Sequence, residues 1–308
     1  MPLPSQVRVD KAMSTFSLRY SNEAYIADRV FPLQRSVLWD SKDAGKYFEY
    51  PKDNLRVERD GPLGTRSPAP EVNYAMSTTS FSLNRYALKE LVTRDEQDNA
   101  DQPLDPEEDA TEFLTDHLLV GREYRAASIA FSATYVTTGA TLTGTDQWSD
   151  ETSAPLTIIN TARDSLAVNA NAFIMGQQTW QYLREHPDIV SRYQYTSGGG
   201  VTKAQFADLL DMDPANIMVG DARRNTTDEG QTASLSYIWG KHAVLAHIAD
   251  APRPRTQTAF VTLARGESRE VSNWIENDPE GTWMKVQDRY LQKVVATDCA
   301  YLFTNAVA

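Results

Sequence analysis

The sequence predicts an α+β fold, and three patterns predict it. Residues 105–135 carry apolar side chains at spacings of three and four with no proline inside the run, the period of one long helix. Residues 46–93, and again segments after residue 258, alternate with period two, as strands with one covered face do. Between them, from about 156 to 249, short apolar runs and helical segments succeed one another as in a compact α/β-like lobe of ordinary domain size. The long helix is the natural backing for the late strands. Residues 95–151 and 255–308 are therefore expected to form one discontinuous domain, with residues 152–254 inserted.

The long helix has the clearest start. Asp105 suits the N-cap, Pro106 the first helical position, and Glu108 the position that closes a capping box. Asp109 and Glu112 favour its positive end, while Arg122 and Arg125 come later. Ala110, Phe113, Leu114, His117, Leu118, Tyr124, Ala127, Ile129 and Phe131 form the expected packing stripe. At 1.5 Å per residue, a run of roughly 28 residues makes a rod of about 40 Å.

Residues 1–45 lack a sustained period and predict an extended arm, with one short apolar turn at Tyr25 to Pro32 that ends before the proline. Residues 46–58 and 71–93 predict the two limbs of a long hairpin. Arg59 to Pro70, rich in Gly and Pro, is suited to its tip rather than a sheet interior. Two isolated strands are marginal in water and their edges invite pairing, so such a hairpin makes sense when a neighbouring subunit covers it or, equally on these grounds, when it folds onto its own core.

In the lobe, Leu156 to Ala167, Gln177 to Glu185 and Lys203 to Leu210 predict helices, and Ala172 to Gly176 and Ile217 to Gly220 short buried strands. Apolar runs continue at Ser236 to Gly240 and Ala243 to Ala249. Ala251 to Arg255 reads as a linker. Thr258 to Leu263 and Trp283 to Thr304 predict strands, separated by the turn Asn277 to Gly281.

Composition narrows the function. With 308 residues, 41% hydrophobic, the chain can bury a real core. No apolar run approaches the 18 or so residues of a membrane span and no secretory signal is visible, so no membrane partner is expected. Cys299, the single cysteine, suits a reducing cytoplasm and core packing. Net charge is −12, and nine acids without a base fall between residues 95 and 112; removing them leaves −3. Without a basic stripe, dedicated nucleic-acid recognition is not expected.

No catalytic or cofactor motif emerges. Gly198 to Lys203 lacks the spacing of a phosphate loop, and Asp208, Asp211 and Asp213 lack that of a calcium loop. His117, His186, His242 and His247 form no zinc pattern, and neither a nucleophile elbow nor a dinucleotide fingerprint occurs. No cofactor is expected. An intracellular enzyme whose site depends on the fold stays open as an alternative.

Read together, several motifs resemble the major capsid proteins of tailed bacteriophages, the HK97-like fold. Tyr25 to Pro32 resembles the arm motif of one branch of that family, and Ala69 to Tyr74 and Tyr86 to Glu90 the limbs of its extended loop. Ala100 to Asp105 followed by Asp109 to Thr115 resembles the entry to its spine helix. Thr179, Trp180, Leu183, His186 and Pro187, then Leu235 to Lys241, resemble its axial domain.

The resemblance spans nearly the whole chain in the family's order. It implies an N-terminal arm (1–45), an extended loop (46–94), a peripheral domain (95–151 and 255–308) and an axial domain (152–254). It also implies hexamers and pentamers closing into an icosahedral shell around packaged double-stranded DNA, contacted non-specifically. Assembly is then expected in the bacterial host cytoplasm, with a separate scaffolding protein, a portal and a decoration protein as candidate partners. An encapsulin-like compartment shell is the alternative within the same fold. No cross-link is assigned to Lys46 or Lys52. The acidic run reads first as a solvated hinge between the extended loop and the spine helix. The sharper hypothesis makes Lys52, Arg56, Arg59 and Arg66 in the loop and Asp95, Asp98 and Asp101 in the run subunit-interface candidates whose opposite charges meet between neighbours.

Overall fold

The computed structural model describes residues 8–20, 24–34, 43–49, 62, 65, 67–68, 77–101, 104–193, 200–228, 230–252 and 256–308. The arm contributes strand β1 (Arg8–Val9), helix α1 (Lys11–Arg19), a single turn α2 (Ala27–Val30) and β2 (Leu33–Gln34). Asp10 caps α1 by accepting from the Ala12 and Met13 N–H groups. The turn α2 ends before Pro32, as the sequence predicts.

Strands β3 (Ala44–Glu49) and β4 (Ser77–Ser82) pair antiparallel as the base of the hairpin. Arg59 to Pro70, the predicted tip, lies largely outside the described residues. β5 (Asn84–Thr93) runs straight into α3 (Arg94–Asp98), which precedes α4 (Pro106–Ala130), the long helix. Its 25 residues span roughly 37 Å. Asp105 caps it as expected, accepting from the Glu107 N–H at 3.0 Å, rather than through a box closed by Glu108.

The remaining elements build the lobe and the late hairpin. β6 (Gly139–Thr141), α5 (Pro155–Asp164), β7 (Ala172–Gly176), α6 (Gln177–Glu185), α7 (Pro187–Tyr193), α8 (Lys203–Leu210) and β8 (Ile217–Gly220) come first. β9 (Arg223–Asn225), β10 (Leu235–Tyr237) and β11 (Ala243–Ala246) complete the lobe; β12 (Phe260–Asn277), β13 (Glu280–Val294) and β14 (Ala300–Thr304) end the chain.

Two five-stranded sheets organise these elements. In the first, β1, β12, β13 and β5 lie side by side, with β2 pairing parallel to β12. In the second the order is β6, β14, β11, β7, β8. β7, β8 and β11 are buried at every position, as unbroken apolar strands with both faces covered must be. One face of this second sheet (Ile174, Val244, Leu302) meets Ala126, Ala127 and Ala130 of α4. The other (Phe173, Leu245, Phe303) meets α5, α6 and α8.

Two strand expectations need correction. β12 runs to Asn277, far past Leu263; its charged middle hides the alternation, and its register shifts between Ala264 and Arg269. The strands expected against the long helix as far as Thr304 leave it at Val294. β14 instead joins the lobe's sheet between β6 and β11, because fully buried β11 needs a partner on both edges.

The face of α4 is also rotated from the expected stripe. Ala110, Leu114 and Leu118 pack on Val92, Val271, Met284 and Val286 of the first sheet. Phe113 is 52% exposed, its ring 4.2 Å from that of His117, and Tyr124 is exposed as well. The buried phase runs through Thr111, Thr115, Arg122 and Glu123, polar residues that an apolar pattern passes over.

This geometry separates two neighbouring substitutions. Leu114→Asp drives an unpaired charge into the helix–sheet contact and should cost several kcal/mol, emptying the soluble fraction. Phe113→Asp should leave the unfolding temperature of the free subunit within a few degrees of wild type. Equal losses in thermal melts of the two variants would show that the stripe faces the other way.

Candidate assembly interface and its anchorage

The acidic run folds as a jointed pair of capped helices. Thr93 Oγ1 accepts from the Glu96 N–H at 3.3 Å and Glu96 returns the bond to the Thr93 N–H at 2.8 Å, closing a capping box on α3. These bonds hold the Glu96 carboxyl below its usual range. The Gln97 side-chain amide donates to Glu107 at 2.8 Å and ties α3 to the first turn of α4. Asp95, Asp98 and Asp101 all point to solvent. Arg94 pairs weakly with Asp98 (3.8 Å) and Glu280 (3.9 Å), and the Arg94 and Asp98 side chains stay 70% and 72% exposed. Lys52, Arg56, Arg59 and Arg66 lie outside the described residues, so the charge pairing expected for them remains a proposal.

The site is anchored by residues that composition and motif reading missed. Glu123 on α4 is fully buried and accepts three hydrogen bonds: Ile26 N–H at 2.9 Å, Ala27 N–H at 2.8 Å and Trp239 Nε1–H at 2.6 Å. One carboxylate thus joins the arm, the long helix and the lobe. Its neighbour Arg122 bonds Asp28 of the arm at 2.6 Å and Asp288 of β13 at 3.4 Å. Arg269 donates to the Ser17 carbonyl at 2.5 Å from the other side. The sequence signal was phase: residues 122 and 123 lie four positions after Leu118 and Leu119 and four before Ala126 and Ala127, in the buried rows.

Burial pushes the Asp288 carboxyl above the usual carboxylate range, against the pull of Arg122 and Arg269. Burial likewise pushes Glu123 up, while its three donors pull it back. Trp239 is held from the far side by Gly220, where a Cβ would fall 2.1 Å from the indole.

The nearest approach to a catalytic pair is Ser153 and His186, whose Oγ and Nε2 lie 3.0 Å apart. The Asp188 N–H donates to Nδ1 at 3.2 Å, so Nε2 carries the proton. It donates to Ser153 and to the Asp150 carbonyl at 3.0 Å, holding a loop rather than accepting a serine proton. His247 donates from Nδ1 to the Asn169 carbonyl at 2.9 Å, and His242 accepts from the Asn305 N–H at 3.0 Å. Cys299 is buried, its thiol pushed up to about 11 by burial and then by Asp298. Among the described residues no three His, Cys, Asp or Glu side chains gather as a metal site.

A long helix clamped to one sheet and backed by a second, with the arm bonded to its middle, is the architecture of HK97-like capsid proteins. Solved structures agree. A phage-related protein from Bordetella bronchiseptica superposes with a TM-score of 0.77 over 97% of both chains at 21% identity. The capsid structure of cyanophage P-SCSP1u does so with a TM-score of 0.57 over 92% of this chain and 89% of that one, at 10% identity. Residues 127–298 match the phage major capsid protein E family. The major capsid protein of Pseudomonas phage JBD67 is 32% identical over 97% of both chains. The chain belongs to the phage major capsid protein E family, and is a structural protein of the virion.

The Glu123 clamp sets two expectations. Glu123→Leu orphans three buried donors at about 1–3 kcal/mol each, whereas Glu123→Gln opposes one donor with another and costs about as much as a single one. A carboxyl with a raised folded pKa binds more protons folded than unfolded between its two pKa values. The associated stability is complete below the unfolded pKa and is lost as pH rises through the folded one. Calorimetry of the free subunit should show melting temperature falling from weakly acid to neutral pH, with a shallower slope in Glu123→Gln.

Proposed function

We propose that this chain is the wall subunit of an icosahedral shell, self-assembling through hexamers and pentamers around the double-stranded DNA of a tailed phage. One structural observation carries the reading beyond family membership. β3 and β4 form a two-stranded sheet of their own, resting on a small cluster of Tyr47, Phe81, Val261 and Leu263. Two strands alone are marginal in water, and a hairpin extending from them is supported when a neighbouring subunit lies beneath it.

In this reading residues 1–45 are the arm, 46–94 the extended loop, 95–151 and 255–308 the peripheral domain, and 152–254 the axial domain, with β6 and β14 lending strands to the axial sheet. Asp95, Asp98 and Asp101 meet cations of a neighbour, with Lys52, Arg56, Arg59 and Arg66 as loop candidates. The role is architectural, not catalytic, and needs no cofactor. A scaffolding protein, a portal and a decoration protein are its partners, and assembly takes place in the host cytoplasm. The net charge of −12 suits a wall that does not trap the packaged genome.

Electron microscopy of the purified chain tests the reading. Closed particles of uniform size are expected, and particles from infected cells should contain double-stranded DNA. Monomers that never close, across salt and concentration and with the scaffolding protein co-expressed, would reject the shell; closed particles filled with a cargo enzyme and free of DNA would favour the encapsulin-like alternative.

A further inference from the structure

The acidic run has an unrecognised counterpart on the sheet face turned away from α4. Pairing of β5 with β13 sets Arg85 directly opposite Arg289 and Lys89 directly opposite Lys285. Residues four apart on a strand share a face, so the four cations occupy one patch, about 5 Å across and 14 Å long. Like charges directly across a ladder destabilise a sheet, and here two such pairs stand in succession. Two acids relieve them in part: Asp43 lies 3.6 Å from Arg289, and Glu270 near Lys285 also accepts from Gln287 at 3.0 Å. Among the described residues, four cations against two acids leave the patch positive.

The patch is open and held in place. Arg85 and Lys89 are exposed. The Lys89 ammonium sits 3.8 Å from the centre of the Trp283 ring, which with stacked Trp274 borders the patch. Burial and the Arg85 guanidinium hold Lys285 below the ordinary lysine range, the response of a cation lacking its full complement of anions.

The chain's own acidic run cannot supply that complement. It begins beyond Thr93, roughly 14 Å along the strand from Lys89 and roughly 27 Å from Arg85. Both exceed the screening length of about 8 Å at physiological salt. An acidic patch and a basic patch set apart on one molecule make a contact that is satisfied head to tail, and head-to-tail contacts generate rings.

We propose that Arg85, Lys89, Lys285 and Arg289 form a docking platform for Asp95, Asp98 and Asp101 of a second copy of this chain. The proposal rests on the shell reading above and names one of its contacts. A nucleic-acid backbone is the lesser fit, since the net charge of −12 opposes it and the platform spans only a few phosphates.

Charge exchange tests it, with assembly followed by light scattering and sedimentation at low and high salt. Arg85→Glu with Lys89→Glu, and separately Asp95→Lys with Asp98→Lys, should each slow assembly several-fold at low salt. One chain carrying all four should regain most of the wild-type rate. Arg85→Gln in the free subunit should melt no lower than wild type, because a cross-strand repulsion is relieved. A four-fold variant no faster than either parent would overturn the proposal. So would a lowered melting temperature in Arg85→Gln, which would make the cations internal supports. Loss of binding to a mixed-sequence DNA duplex with assembly unchanged would assign the platform to nucleic acid instead. Wild-type particles in the same assay keep the shell reading intact if only the exchange fails.

Discussion

The fold depends on burying two adjacent charges, Arg122 and Glu123, in the middle of a helix whose other inward positions are small or apolar. Taking such groups from water costs several kcal/mol each unless every bond they need is returned. Glu123 regains part of that cost from two arm N–H groups and the Trp239 indole, and Arg122 part of it from Asp28 and Asp288, while the buried Arg122 Nε is left without a partner among the described residues. None of these partners lies on the helix itself. The helix is thereby forced into the one position where arm, sheet and lobe all reach it, and apolar packing alone would leave sliding along its axis far less restricted.

Packing around that point follows the same logic. Behind it, Ala126, Ala127 and Ala130 let the lobe's sheet come close enough for Trp239 to reach Glu123. Ahead of it, Leu114 and Leu118 fill the first sheet's face. Gly220 removes the Cβ that would push the indole away. A rotation of α4 that improved one of these contacts would break another, so the modules are held as a unit although they come from distant parts of the chain.

Much of this was legible in the sequence where local chemistry decides structure. Asp105 and Pro106 write the start of α4, Pro32 ends the arm's turn, and Ala172 to Gly176 is apolar at every position because both its faces are covered. The missed features are those in which tertiary context overrides local pattern. Residues 264–277 carry too many charges to read as a strand, yet β13 pairs with Ala264 and, after a shift of register, with Arg269 to Asn277. Residues 300–304 alternate like the late hairpin, but β11 claims them. Arg122 and Glu123 sit in the buried phase of α4, and hydropathy alone assigns such residues to solvent. Of the proposed interface only the acidic side was legible, since nine carboxylates in one run are visible in sequence. Cations at 85, 89, 285 and 289 become one patch only when two strands pair.

The chain therefore uses charge in two opposite ways. Inside, ions are desolvated and held by partners from several elements, so their bonds are strong and geometrically exacting. Outside, carboxylates and cations stay hydrated and apart, where attraction is weak, steers approach and fades as salt rises. A subunit that must close a shell needs both. Contacts between copies have to be reversible enough to correct a misplaced neighbour, which strong buried ion pairs would prevent. The angles between those contacts must not drift, which weak surface pairs could not ensure. Rigidity is therefore set within the subunit, at residues 122 and 123, and in the contact proposed above adjustability is left to the solvated charges along β5, β13 and α3.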